Sequence, residues 1–211
     1  MISIMTKKII KYSVIVLLIG FVAYNSVYFK SLSKLKAEAE AKNFDATKYA
    51  EDYLNKELPA LFNKVPDVDT LMNLLKAEPK KAFKLYSNAM AIGNVKFFMT
   101  KGTGMVNSIS DNEITLVTIG KQNLTVATEF IFGNALRDAS GIIKVEDFTN
   151  SADLNNVSAE INKLVRQKVL PPFKSKVKLG DKVTFIGAFE LNQEHINLKN
   201  IEIVPVKIAV Q

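Results

Sequence analysis

The stretch FGNALRDASGIIKVEDF, residues 132–148, contains the side chains of this protein best placed by type and spacing to do chemistry. Arg137 offers a planar guanidinium fork and Asp138 a carboxylate, and both groups recognise hydroxyl-bearing or charged ligands. Glycines on either side would give the backbone the freedom to form a tight loop. We therefore predict a loop that binds a ligand such as a sugar hydroxyl, or a partner protein. Its contact residues would be Gly133, Asn134, Arg137 and Asp138.

Two other interpretations of the same residues stay open. In the first, which the residue types favour, Asp138 accepts backbone N–H groups and Arg137 pairs with Glu146 or Asp147. Structural ion pairs and ligand-binding charges look the same in a sequence. In the second, Asp138 and Glu146 are the acid and base of a saccharide hydrolase, which requires two carboxyl groups about 5 to 9 Å apart in a cleft.

The remaining candidates for chemistry are weak. The chain has no cysteine and one histidine, His195, so a thiolate metal site, a Cys nucleophile and a histidine-based triad lack their residues or partners. We expect His195 to face solvent in a hairpin. Gly102 and Gly104 lack the Gly-Lys-Ser/Thr ending of a P-loop and indicate a β-bulge or bend. The sequence therefore predicts no catalytic residue, no metal and no cofactor, and favours a protein that is not an enzyme.

The net charge of +7 raises the question of nucleic-acid binding. Phe185 and Phe189 lie near a run of lysines, and OB-type domains bind single strands with such a stripe and exposed aromatic rings. Apolar neighbours on both sides of the two rings predict instead that both faces of this strand are buried. The lysines then form a solvated edge, and we expect no nucleic-acid partner. This run consists of Lys174, Lys176, Lys178 and Lys182.

Residues 12–29, YSVIVLLIGFVAYNSVYF, form an uncharged run of 18 residues. As a helix this run would span about 27 Å, close to the hydrocarbon thickness of a bilayer. Bulky residues stand where a cleaved signal peptide needs small ones. We therefore predict an uncleaved transmembrane signal anchor rather than a cleaved signal or a buried soluble helix. Residues 1–11 would be a cytoplasmic leader, and the domain would lie in the periplasm or outside the cytoplasmic membrane.

The segments after the anchor differ in periodicity. Residues 30–43 are rich in Ala, Lys and Glu and predict a helical stalk. Residues 44–90 have helical spacing, with Asp45 and either Asp67 or Asp69 as candidate caps and a kink at Pro59.

From residue 94 the pattern alternates as in β-strands, and NLTVATEFI, residues 123–131, reads as one of them. The order is bent strand, strand, strand, helix, strand, strand, which is the order of an OB-type barrel. The predicted fold is α+β, mainly β, with one transmembrane helix. A five-stranded OB-like barrel over residues 94–211 carries a helical extension over 44–90, and both form a single domain, 44–211. A small α+β sheet is the alternative.

Four segments resemble the bacterial proteins grouped as domain of unknown function 2291 (DUF2291), which are described as predicted periplasmic or lipoprotein-like. These segments are FDATKYAEDYLNKELPAL after residue 43, GTGMV at 102–106, FGNALRDASGIIKVEDFTN at 132–150 and GDKVTFIGAFEL at 180–191. The resemblance covers roughly residues 44–208.

This resemblance implies an OB-like barrel with helical additions, and genes beside sugar-type ABC transporters. It implies no established activity. Many relatives carry a lipid-attachment cysteine that is missing here, and the predicted anchor would replace it. We therefore expect a membrane-anchored, non-enzymatic binding or accessory module. Its partner would be an ABC transporter permease or a sugar-binding protein.

Overall fold

The computed structural model describes residues 4–26, 44–199 and 201–211. The chain separates into two compact units, Met1–Phe44 and Asp45–Gln211. The first unit contains helix α1 (Ile4–Ser26).

The predicted transmembrane helix over residues 12–29 is wrong, since none of the described helices combines the length and the apolar character that crossing a bilayer requires. Helix α1 begins before the predicted run, takes in Lys7, Lys8 and Lys11, and ends at Ser26. The predicted stalk, residues 30–43, lies outside the described residues.

The second unit opens with a helical region. Helix α2 (Ala46–Asp52) is capped by Asp45, whose carboxylate accepts the Lys48 N–H at 2.9 Å. The chain continues through a π-helical turn (Tyr53–Glu57) and a 3₁₀ turn (Leu58–Leu61), so the regular helix does not pass Pro59. Asp67 caps α3 (Val68–Ala77), and α4 (Pro79–Tyr86) follows with proline in its first turn. The predicted caps at Asp45 and Asp67 are confirmed.

Six strands form one sheet in the order β1-β2-β3-β4-β6-β5, and β2 also pairs with β5. All pairs are antiparallel except β4 with β6. Strand β2 is 15 residues long and pairs with three strands, β1, β3 and β5. It pairs with β5 from Val95 to Met105 and with β3 from Gly104 to Ile109. The strands are β1 (Ser87–Asn88), β2 (Val95–Ile109), β3 (Glu113–Thr118), β4 (Asn123–Ala127), β5 (Lys182–Asn192) and β6 (Ile201–Val210).

The fold prediction needs correction at the sheet as well as at α1. A mixed sheet with helices agrees with the α+β class, but the sheet has six strands where a five-stranded barrel was predicted. The additional strand, β1, has two residues, too few to show an alternating pattern. The irregularity expected at Gly102 and Gly104 falls between Val106 and Ser108. Gly102 instead allows α3 to pack closely against β2, because a Cβ at this position would lie 2.6 Å from the Val68 side chain.

Three helices connect β4 to β5. Helix α5 (Ala135–Ala139) is a short turn, α6 (Ser151–Leu164) is capped by Asn150, and α7 (Leu170–Lys174) follows a π-helical turn. Helix α6 buries an apolar stripe with helical spacing, comprising Leu154, Val157, Ile161 and Leu164.

The hydrophobic core lies between α3 and the sheet. Leu71, Met72 and Leu75 of α3 belong to the same buried cluster as Phe98 of β2 and Phe189 of β5. The Phe98 and Phe189 rings stack with centroids 5.2 Å apart. Each buried side chain of this size contributes about 1.5 to 3 kcal/mol. The candidate sites described below lie on the connections between the elements that form this core.

Candidate functional site

The predicted binding loop has a folded interior. All five residues of α5, Ala-Leu-Arg-Asp-Ala, are buried, so the segment is a short helix rather than an open loop. Gly133 precedes it with φ +79°, a left-handed conformation that favours glycine. Gly133 is exposed and Asn134 half-buried. The four predicted contact residues therefore divide into two at the surface and two inside.

Arg137 and Asp138 form a buried ion pair. Their side chains are 5% and 4% exposed, and Arg137 Nε donates to Asp138 Oδ1 at 2.6 Å. Arg137 Nη1 also donates to the Leu154 carbonyl oxygen of α6 at 3.3 Å. The partner of Arg137 is its own neighbour, so the predicted pairing with Glu146 or Asp147 is wrong. Burying two charges is costly, and the pair with its added hydrogen bond offsets that cost.

Side chains from three other elements hold the backbone around this pair. The Tyr53 hydroxyl donates to the Leu136 carbonyl oxygen at 2.6 Å, Asn88 Nδ2 to that of Ala139 at 2.8 Å, and Asn162 Nδ2 to that of Gly133 at 2.9 Å. Burial raises the pKa of Tyr53 well above its usual value, so the hydroxyl stays protonated as a donor. The segment is thus fixed before any ligand arrives.

Asp138 also lines a polar pocket of about 260 Å³, together with Asn88, Gly141, Lys144 and Glu146. Asp138 and Glu146, the two carboxylates of the hydrolase interpretation, both line this pocket. Asp138 is nevertheless engaged by Arg137 through Oδ1, which ties the carboxylate to the folded interior. This arrangement favours a structural role for Asp138 over proton transfer.

The sequence reasoning missed an exposed aromatic pair beside this segment. Phe130 and Phe132 are 60% and 73% exposed, while Ile131 between them is fully buried. The two ring centroids are 6.5 Å apart at an interplanar angle of 23°. Arg166 lies over Phe132, 5.9 Å from the ring centroid, and its Nη1 donates to the Ile131 carbonyl oxygen. We call Phe130, Phe132 and Arg166 the aromatic patch.

Comparison with known proteins agrees with the resemblance noted above. The family described as "Predicted periplasmic lipoprotein (DUF2291)" matches residues 17–209, which is most of the chain. This chain belongs to the DUF2291 family. The family description supports a location outside the cytoplasm.

An OB-fold protein from Thermotoga maritima, with a crystal structure at 1.90 Å, is similar in structure to this DUF2291 protein. The two chains share 29% identity at a TM-score of 0.71, over 81% of this chain and 100% of the other. No curated protein matches the chain.

The other sequence candidates of this DUF2291 protein lie where they were expected. Phe185 and Phe189 are buried and the lysines of the predicted run are exposed, so the aromatic stripe needed for stacking bases does not reach the surface there. His195 is exposed near the end of β5, as predicted. Among residues 4–26, 44–199 and 201–211, no group of three or more His, Cys, Asp and Glu side chains is arranged to hold a metal ion.

Proposed function

We propose that this protein is a non-enzymatic accessory module that binds another protein outside the cytoplasm. The observation that carries this proposal is the aromatic patch. Two large apolar rings stand in solvent on a segment whose intervening residue, Ile131, is fully buried. Phenylalanine and arginine are among the residues enriched in protein interfaces.

The base of the patch is already ordered, which favours tight binding. Arg166 holds the Ile131 carbonyl oxygen, and Asn162 holds that of Gly133 at 2.9 Å. Ordering side chains and loops on binding costs about 0.5 to 1.5 kcal/mol for each immobilised side chain. A segment fixed in the free protein avoids most of that cost.

The predicted contact residues take two roles in this proposal. Gly133 and Asn134 follow Phe132 at the surface and would extend the contact. Arg137 and Asp138 would support the contact from inside, through the buried pair and its hydrogen bond to Leu154. Arg166 adds a positive charge beside Phe132, so the partner would offer an apolar pocket with an acidic rim.

The partner we propose is a permease or a sugar-binding protein of a sugar-type ABC transporter. The extracytoplasmic description of the family supports a partner on that side of the membrane. The choice of transporter rests on the resemblance to the DUF2291 proteins given above.

Site-specific photo-cross-linking in native cell envelopes tests this proposal. A benzoylphenylalanine residue replaces Phe132, and a control chain carries it at Leu85, which is 57% exposed on α4. We expect mass spectrometry to find a transporter subunit cross-linked to position 132 and absent from position 85. Identical products from both positions, or no protein product from position 132, would overturn the proposal.

A further inference from the structure

A second surface of the domain, formed by none of the residues of the aromatic patch, gathers positive charge. A groove of about 850 Å³ lies between the C-terminal part of α3, the β3–β4 turn and the connection from β5 to β6. Three lysines line it and none of its described lining residues is acidic. Its polar side chains are Lys76, Lys121, Gln122, Asn123, Asn197 and Lys199.

Lys121 sits in this groove with an unusual backbone. Its φ is +59°, and it is the one non-glycine residue with positive φ in the described part of the chain. Side chains with a Cβ rarely adopt this conformation, and such strain persists where the surroundings enforce it, often at functional sites. Glycine is the usual residue at this position of a hairpin turn. A lysine with this backbone conformation is therefore a candidate for a functional residue.

The glycine of this turn is one position earlier, where packing requires it. A Cβ on Gly120 would lie 2.6 Å from Asp69 Cγ of α3. The Asp69 carboxylate accepts the Gly120 N–H at 2.8 Å and the Thr118 hydroxyl. The hydrogen bonds to Asp69 of α3 therefore fix the β3–β4 turn, and with it the strained backbone conformation of Lys121.

The lysines of the groove form no ion pair within the described residues, and the nearby carboxylate of Asp69 is occupied by the Gly120 N–H and the Thr118 hydroxyl. Lys76 Nζ donates to the neutral Gln122 Oε1 at 2.7 Å, which uses one of its three donors. By contrast, Lys168 pairs with Glu51 at 2.7 Å and Lys163 with Glu160 at 3.0 Å elsewhere on the surface.

We propose that this groove binds a phosphate-bearing ligand. The lysine ammonium groups can bind the phosphate as compact point charges. The side-chain amides of Asn123 and Asn197 can form hydrogen bonds with the hydroxyl groups of the molecule that carries the phosphate. A phosphorylated saccharide and a phospholipid headgroup share this chemistry. The groove contains none of the residues of the aromatic patch, so the two proposals are tested independently.

Two variants at position 121 separate charge from backbone strain. Lys121→Gln removes the charge and keeps the strain, whereas Lys121→Gly removes both. We expect each variant to bind inorganic pyrophosphate at least fivefold more weakly than the wild type in low-salt calorimetry. We also expect Lys121→Gly alone to raise Tm, by about 2 to 4 °C. The control is Lys64→Gln, an exposed lysine outside the groove, with unchanged affinity.

The source of the phosphate is tested with vesicles on the same purified proteins. Co-sedimentation with phosphatidylglycerol vesicles, but not with phosphatidylcholine vesicles, and its loss in Lys121→Gln would identify a lipid headgroup. Pyrophosphate binding without vesicle binding would identify a soluble ligand. Wild-type protein that binds neither probe, or a loss of affinity in Lys64→Gln equal to that in Lys121→Gln, would overturn the proposal.

Discussion

The α5 segment and the β3–β4 turn place charged residues in short connections in opposite ways. At α5, Arg137 and Asp138 neutralise each other inside the protein, 2.6 Å apart. At the β3–β4 turn, Lys121 stands at the surface on a turn that Asp69 holds. A buried pair satisfies its own charges and stabilises the fold. A surface charge that has no ion-pair partner remains available to a ligand.

The largest expected effect separates these two kinds of charge. Asp138→Ala leaves the Arg137 guanidinium buried without its partner and should lower the free energy of unfolding by about 3 to 5 kcal/mol. Urea denaturation measures this loss. Glu146→Ala, at the rim of the same pocket, is the matched control and should change stability by less than about 0.5 kcal/mol. Equal losses in the two variants would show that Asp138 is not a buried structural charge.

A smaller effect is expected at the hydrogen bond that holds α5. Tyr53→Phe leaves the Leu136 carbonyl oxygen without its donor and should cost about 1 to 3 kcal/mol. Tyr86→Phe is a suitable control, because Tyr86 is a partly buried ring packed against the core. Thermal unfolding at neutral pH compares the two. A Tyr53→Phe variant as stable as the wild type would mean that this bond contributes nothing.

The same hydroxyl predicts a pH dependence. The pKa of Tyr53 is raised in the folded state, so above the unfolded value of about 10 the unfolded chain loses this proton and the folded chain keeps it. Stability should therefore fall as pH rises past 10, by up to about 1.4 kcal/mol per pH unit from this residue. Tyr53→Phe should show a correspondingly shallower decline between pH 9.5 and 10.5, measured by urea unfolding. Parallel pH profiles for the two proteins would contradict the assignment.

The smallest effect on stability is expected at the aromatic patch. The Phe132 ring is 73% exposed, so Phe132→Ser should change the free energy of unfolding by less than about 0.5 kcal/mol. The same change should abolish capture of the partner from native envelopes by the tagged protein. A variant that unfolds easily, or that retains full capture, would place Phe132 in the fold rather than in an interface.

Local patterns predicted much of the fold. Helical spacing gives way to alternation at residue 94, and β2 begins at Val95. The caps at Asp45 and Asp67 and the apolar stripe of α6 follow from rules that involve only neighbouring residues. The end of β4 was missed, because the segment 123–131 was interpreted as one strand while the strand ends at Ala127. The exposure of Phe130 and Phe132 was missed with it.

The sequence by itself determined the family, the α+β class and the residues that carry charge. The tertiary structure alone decided that Arg137 faces Asp138 in the interior, that the two phenylalanines stand in solvent, and that Asp69 clamps the turn of Lys121. Periodicity and capping depend on residues a few positions apart along one element. Burial and charge compensation depend on residues that are distant in the chain and meet only when the elements pack.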